Sequence, residues 1–165
     1  MTNVIKIKRG LNIDIAGVPA PVLASMNQSS LVAISPNDFN GIVPKVLVKE
    51  GENVKAGTPI FCDKKHPELK IVAPVSGVVE EVARGERRKL LYVSICRDVV
   101  TTYESFDCPN LDASREDLLK ALLSAGFGAF IKQRPYDVVA NPDVAPKAIF
   151  VSGFDSAPLA PDSTF

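Results

Sequence analysis

The chain has 165 residues, of which 46 % are hydrophobic, and its 19 basic and 19 acidic side chains give a formal net charge of zero. This length and hydrophobicity suffice for one full core, or for one domain and part of a second. Because the charges balance, no overall field attracts nucleic acid or an anionic bilayer, and neither is expected as a partner.

The cysteines and the N-terminus bear on the cellular compartment. Cys62, Cys96 and Cys108 are odd in number and show no C-x-x-C spacing. This argues against a disulfide framework and a thiolate metal site, and indicates reduced thiols in a cytoplasmic protein. The apolar runs near the N-terminus are too short for a signal peptide or a bilayer-spanning helix. We therefore expect no membrane span, although docking onto a membrane protein stays open.

Short β-strands are predicted over the first part of the chain. Residues 4–15 alternate polar and apolar side chains around Gly10, which predicts two strands or one bulged strand. The apolar run in SLVAISPNDFNG ends in turn-forming residues. Further β-rich runs without a helical period follow: IVPKVLV, TPIFCD, LKIVAP, GVVEEVA and KLLYVSIC. We expect residues 42–98 to form a compact β unit, on which residues 1–41 pack.

One helix is predicted, in LDASREDLLKALLSAGFGAF. Ser114 and Asp117 form a capping box and Gly126 ends the helix. Its leucines share one face: Leu118, Leu119, Leu122 and Leu123. The three prolines in residues 131–147 each fix φ and remove a donor, which predicts an extended connector. Residues 99–145 are therefore expected to be helix and connector.

The last segment predicts the beginning of another domain. AIFVSG, residues 148–153, is typical of a buried strand that runs into a glycine turn, as at the entry to an α/β unit. The proline-rich residues after it are too few to supply the sheet and helices that such a strand packs against. We expect residues 146–165 to begin a truncated α/β domain, in a chain that is a fragment.

Glycine spacing predicts two interlocked hairpin units. Gly51 and Gly57 flank a short strand in VLVKEGENVKAGTPIF, and Gly77 precedes VVEEV before a turn at Gly85. Glycine permits positive φ where a strand reverses, and the intervening Val or Ile points inward. The pattern resembles the biotinyl and lipoyl carriers, whose fold is a flattened barrel called a barrel-sandwich hybrid. The expected fold class is α+β: such a barrel, then a helix and the start of an α/β domain.

The carrier resemblance directs attention to the hairpin tip in CDKKHPELKIVAP. Carriers attach their cofactor to a lysine at this tip, but the family spacing falls on His66 or Pro67 here. Lys64, Lys65 and Lys70 are off register and lack the flanking residues of a carrier. The resemblance thus implies the scaffold without its acylation chemistry. A free-standing carrier or binding module stays an alternative.

A second resemblance covers nearly the whole chain. It is carried, in order, by IKIKRGLNIDIAGVP, VKEGENVKAGTPIFCDKKHPELKIVAPVSGVVEEVARGERRKL, LLSAGFGAFIKQRPYD and PKAIFVSGFDSAPLAPD. These segments resemble the N-terminal part of the NqrA family, which belongs to the Na⁺-translocating NADH:quinone reductases. The RnfC family of the Rnf-type electron transport complexes shares the hybrid barrel and is an alternative. The residues around DKKHPELKIVAP and RPYD are closer to the NqrA family.

The NqrA resemblance implies a function. It implies a soluble, peripheral subunit on the cytoplasmic face of the inner membrane, in a complex that oxidises NADH, reduces ubiquinone and pumps sodium. The implied partners are the other subunits, which hold the flavins and the iron–sulfur centre and react with NADH. No redox cofactor is expected on this segment, and ubiquinone is a candidate substrate. The segment alone shows no catalytic constellation.

A candidate quinone site follows the predicted helix. GFGAFIKQRPYD, residues 126–137, combines aromatic rings with cationic donors in an extended chain. A quinone offers a flat ring to bury and two carbonyls that accept hydrogen bonds. The alternative is that the phenylalanines belong to the core behind the helix. Quinone or interface contact is predicted for four residues: Phe130, Lys132, Arg134 and Tyr136.

Other polar motifs have simpler explanations. RGERRK, residues 84–89, is either a solvated hairpin turn or a docking patch for an acidic neighbour. His66, the only histidine, is expected to be a solvated turn residue, and no metal site is predicted. The glycines at residues 126–128 follow a helix instead of a strand, so they are interpreted as a helix stop and not as a nucleotide loop.

Overall fold

A computed structural model describes Val22, residues 28–110 and residues 112–153. The predicted strands of residues 4–15 lie outside these described residues. Gln28–Ala145 form one compact unit, and Met1–Asn27 with Pro146–Phe165 form another. The described residues of the second unit are exposed and belong to no helix or strand. The division into segments 1–41, 42–98, 99–145 and 146–165 stays a prediction.

The strands of the first unit follow the β-rich runs of the sequence. They are β1 Leu31–Ile34, β2 Pro44–Val46, β3 Asn53–Val54, β4 Pro59–Asp63, β5 Lys70–Val72, β6 Gly77–Arg84 and β7 Leu90–Arg97, with β8 Lys132–Gln133 and β9 Val138–Val139 after the helix. The five runs predicted between residues 42 and 96 are confirmed as β2, β4, β5, β6 and β7. A 3-10 turn at Pro36–Asp38 follows β1, as the turn-forming residues there predict.

Two antiparallel sheets share the barrel strands. One has the order β1-β7-β6-β3 and the other has the order β2-β4-β5. Gly51 N donates to Val79 O at 2.8 Å, and Gly57 N donates to Ala73 O at 2.8 Å. Both glycines have positive φ, +80° and +102°. The turns of one half therefore bond to the strands of the other, which confirms the predicted interlocking.

The core lies between the two sheets. Its most buried side chains are Ile60 and Phe61 on β4, Val79 on β6, and Val93 and Ile95 on β7. Exposed and buried residues alternate at the start of β6, as expected for a strand with one face on a core. Burying side chains of this size contributes about 1.5–3 kcal/mol each, so this cluster is the main source of stability.

Helix α1, Arg115–Ser124, begins and ends where its sequence predicts. Asp117 N donates to the Ser114 hydroxyl at 3.1 Å, and Gly126 ends the helix with a φ of +84°. Leu123 is buried in the same hydrophobic cluster as the barrel residues. A Cβ placed on Gly126 would lie 2.8 Å from a methyl of Val72, so the helix end packs directly on β5.

The segment after the helix differs from the expected extended connector. β8 and β9 pair antiparallel, with Lys132 opposite Val139. Val139 N also donates to Asn40 O at 2.8 Å, which ties this hairpin to the turn after β1. The prediction failed because Pro135 and Pro142 both lie outside the paired positions, so neither removes a donor that the ladder needs.

The predicted buried strand at residues 148–153 is wrong. Ile149 and Phe150 are 73 % and 91 % exposed, and no residue of the segment belongs to a strand. An apolar run becomes a buried strand only when a neighbour pairs with its backbone and covers its side chains. No strand among the described residues pairs with this segment.

The close approach of β6 and β7 makes Gly77 a sensitive position. A Cβ at Gly77 would overlap the carbonyl oxygen of Cys96, whereas a Cβ at Gly51 would meet no atom within 4 Å. We expect Gly77→Ala to lower the free energy of unfolding by at least about 2 kcal/mol, because the strands must separate. Gly51→Ala should cost about 1 kcal/mol, the cost of its left-handed backbone.

Urea denaturation of both variants and the parent chain measures this difference. Gly51→Ala is the matched control, because it adds the same methyl group at a glycine of the same barrel. An unfolding midpoint for Gly77→Ala at or above that of Gly51→Ala would contradict the steric argument.

Candidate functional site

The nominated segment forms an exposed corner of the unit. The 3-10 turn Phe127–Phe130 leads into β8, and the turn between β8 and β9 holds Arg134 and Tyr136. Phe127 and Phe130 are 64 % and 74 % exposed. The alternative that these phenylalanines belong to the core is therefore wrong. Gly128 and Ala129, between them, face the core instead.

Aromatic rings connect this corner to the core. The Phe130 ring meets Phe39 edge to face, with 6.5 Å between the centroids, and Phe39 meets the buried Phe61 in the same way at 6.1 Å. Phe39 also lines a cleft of about 330 Å³ together with Pro36 and Ile42. Sequence analysis did not nominate Phe39. The sequence feature that marks Phe39 is an aromatic residue in the otherwise polar turn SPNDFNG.

The two nominated cations differ in their surroundings. Lys132 Nζ lies 3.1 Å from Asp137 Oδ2, so its charge is largely balanced. Arg134 is exposed and forms no ion pair or hydrogen bond with a residue that the structure describes. Within the described part of the chain, no ring contact, hydrogen bond or ion pair joins two of the four nominated side chains. The structure thus places them on one segment without making them one cluster.

A second cluster of polar side chains lies at the hairpin tip between β4 and β5. The His66 side chain is 20 % exposed, and its Nδ1 lies 3.7 Å from Glu68 Oε1 and 3.5 Å from Asp143 Oδ2. His66 was expected to be a solvated turn residue, but it is half-buried and faces two carboxylates. These three ligand atoms lie within 4.8 Å of one another. An imidazole nitrogen and two carboxylate oxygens are ligand atoms that a divalent cation takes, although exposed carboxylates such as these are common without one.

The backbone of the hairpin tip is bonded at Lys64 and Lys65, whose side chains are exposed. Lys64 N donates to Val43 O at 2.7 Å, and Lys65 N donates to a carboxylate oxygen of Asp63 at 3.3 Å. Leu69 is buried in the core. The tip is therefore a loop of six residues held against the barrel at both ends.

The cysteines are free thiols in different environments. Cys62 is buried on β4, and this burial raises the pKa of its thiol. Cys96 and Cys108 are exposed. A buried thiol with a raised pKa is a poor nucleophile, so Cys62 serves packing.

No helix in the described ranges is both long and apolar enough to cross a bilayer.

Comparison with known proteins gives two consecutive family matches. Residues 5–98 match the NqrA N-terminal barrel-sandwich hybrid domain, and residues 113–165 match the NqrA second alpha/beta domain. These matches confirm the predicted α+β fold class, with a hybrid barrel followed by the start of an α/β domain.

Individual relatives agree with the family matches. The chain is 38 % identical to the NqrA protein of the Na(+)-translocating NADH-quinone reductase of Photorhabdus laumondii, over 96 % of this chain and 36 % of the relative. It is 39 % identical to the corresponding protein of Hahella chejuensis, again over 96 % of this chain and 36 % of the relative. The chain thus spans 36 % of the length of these curated relatives, or about a third.

The lysines of the hairpin tip provide a test of the carrier alternative. We expect co-expression with biotin ligase or lipoate ligase to leave the intact mass unchanged, because Lys64, Lys65 and Lys70 are off register and lack the flanking residues of a carrier. A known carrier domain treated in parallel is the positive control. A mass gain of one biotinyl or lipoyl group would revive the carrier alternative.

Proposed function

The chain belongs to the NqrA family of the Na(+)-translocating NADH-quinone reductases, and on that premise we propose that it works as a peripheral part of such a complex. The observation that carries this proposal is the pair of family matches in consecutive order. The proposed complex oxidises NADH, reduces ubiquinone and transports sodium. The proposed location is the cytoplasmic face of the inner membrane.

The proposed contribution of this chain is architecture and quinone handling, not electron transfer. Flavins and the iron–sulfur centre are assigned to other subunits, and no redox cofactor is assigned to this segment. The barrel provides a rigid platform, and its exposed turns provide the contacts.

Quinone contact is proposed at the corner built by Phe130, Lys132, Arg134 and Tyr136. Phe130 is exposed yet braced by Phe39, so one face of its ring is free to stack on a flat ligand. Arg134 has no partner among the described residues, so its guanidinium is free to donate to a quinone carbonyl. Lys132 is the weaker donor, because Asp137 already accepts from it.

Membership of the complex is tested by recovery from membranes. A tagged copy of the protein, expressed in a host that has the reductase, should retain the other subunits through purification in mild detergent. Mass spectrometry identifies them, and a tagged unrelated carrier domain controls for adhesion. Recovery of the tagged chain without any other subunit would overturn the proposal.

The quinone site is tested by Arg134→Ala in the assembled complex. We expect the KM for ubiquinone to rise about tenfold, because a hydrogen bond from a charged donor contributes about 1.5–3 kcal/mol. NADH oxidation with an artificial acceptor should not change. Lys120→Ala is the control, since Lys120 is an exposed cation on α1. An unchanged KM for ubiquinone would remove Arg134 from the site and leave membership of the complex intact.

A further inference from the structure

The hairpin between β6 and β7 ends in an unbalanced set of cations. This basic turn, residues 84–89, holds four exposed ones: Arg84, Arg87, Arg88 and Lys89. None of them forms an ion pair with any residue in the described part of the chain. One weak side-chain hydrogen bond runs within the turn, from Arg84 Nη1 to Arg88 O at 3.4 Å. The chain as a whole has no net charge, so this local excess is not a general property of its surface.

The backbone conformation of the basic turn is unfavourable for the two arginines at its centre. Lys89 N donates to Glu86 O at 3.1 Å, and the central residues Arg87 and Arg88 have φ values of +54° and +60°. Two successive positive φ values are those of a type I′ turn, which favours Asn-Gly. A left-handed conformation costs other L-residues about 1 kcal/mol or more each. Among the described residues, the two arginine side chains form no hydrogen bond or ion pair that offsets this cost.

Residues that strain the backbone without forming a stabilising contact inside the chain are expected where their side chains bind a partner outside it. We propose that the basic turn is a docking surface for an acidic patch on a neighbouring protein subunit. The proposal rests on the proposed function, because the neighbour is taken to be another member of the same complex. The partner is defined by chemistry: discrete carboxylates that pair with the positive charges of the turn.

The surroundings of the basic turn favour a protein over a lipid surface. Leu91 is 39 % exposed, and a Cβ at Gly85 would lie 3.2 Å from one of its methyls, so an apolar side chain covers the base of the turn. Arginine beside exposed apolar surface is typical of protein interfaces. The same hairpin also exposes Glu80, Glu81 and Glu86, which an anionic bilayer would repel. A patterned protein surface accommodates both signs of charge.

Three double variants separate charge from backbone strain. Arg87→Asn with Arg88→Gly removes the charge and supplies the residues that the turn favours. Arg87→Lys with Arg88→Lys keeps the charge and the strain. Arg87→Glu with Arg88→Glu reverses the charge. Thermal unfolding of each variant serves as the folding control, and we expect the Asn-Gly variant to melt at or above the parent temperature.

The binding probe is the detergent-solubilised reductase complex prepared without this chain. We expect the Asn-Gly variant to bind about tenfold more weakly than the parent, the Lys-Lys variant within about threefold, and the Glu-Glu variant most weakly. Parent affinity should fall with added salt, and the Asn-Gly variant should show a smaller salt dependence. An Asn-Gly variant that melts normally and binds like the parent would overturn the docking surface while leaving the proposed function intact.

Two other outcomes have separate meanings. Parent chain that does not bind the complex at all would overturn both the proposed function and the docking surface. Binding of the parent to phosphatidylcholine vesicles containing phosphatidylglycerol, lost in the Asn-Gly variant while binding to the complex is unchanged, would replace the protein partner with an anionic lipid.

Discussion

Backbone hydrogen bonds between the two halves of the barrel fix the arrangement on which the rest of the structure depends. Gly51 N donates to Val79 O, and Val79 N donates to Glu52 O. Gly57 N donates to Ala73 O, and Ala73 N donates to Thr58 O. All four donor–acceptor distances are 2.8–2.9 Å. Each half thus supplies the partners that the other half's turn needs. Because buried backbone groups without partners are costly, neither half is complete alone. The core residues between the sheets depend on this crossing, since it sets how closely the sheets approach.

The barrel determines what its turns and hairpins are able to do. The β4–β5 tip is tied to Val43 and anchored by Leu69, so its backbone is held against the barrel. The end of α1 packs through Gly126 on Val72. These contacts hold the segment after the helix in place, and they bring Phe130 to Phe39. The candidate quinone corner therefore exists because the helix end and the β8–β9 hairpin pack on the barrel.

The basic turn and the quinone corner share one physical feature. In each, a cationic side chain is exposed without a charged partner among the described residues: Arg134 at the corner, and the arginines of residues 84–89 at the turn. An exposed ion pair inside a monomer adds little stability, so partnerless cations cost the fold little. They are available to ligands or neighbouring subunits, and recognition by a chain of zero net charge must be local.

The sequence by itself determined the elements whose causes are local. The β-rich runs without a helical period located β2, β4, β5, β6 and β7, and the Ser114 cap with the Gly126 stop bounded the helix. The glycine spacing, together with the family resemblance, indicated the barrel, since positive φ at Gly51 and Gly57 is a property of those positions alone.

Only the tertiary structure decided how these elements face one another. Phe127 and Phe130 are as hydrophobic as core residues, yet they are exposed because Gly128 and Ala129 occupy the inner side of their turn. His66 is half-buried, and its ring lies 3.5 Å from a carboxylate oxygen of Asp143, which is distant in sequence. The apolar run at residues 148–153 is not a strand, since no strand that the structure describes forms a ladder with it. Burial and pairing are relations between distant segments, so a pattern within one segment does not specify them.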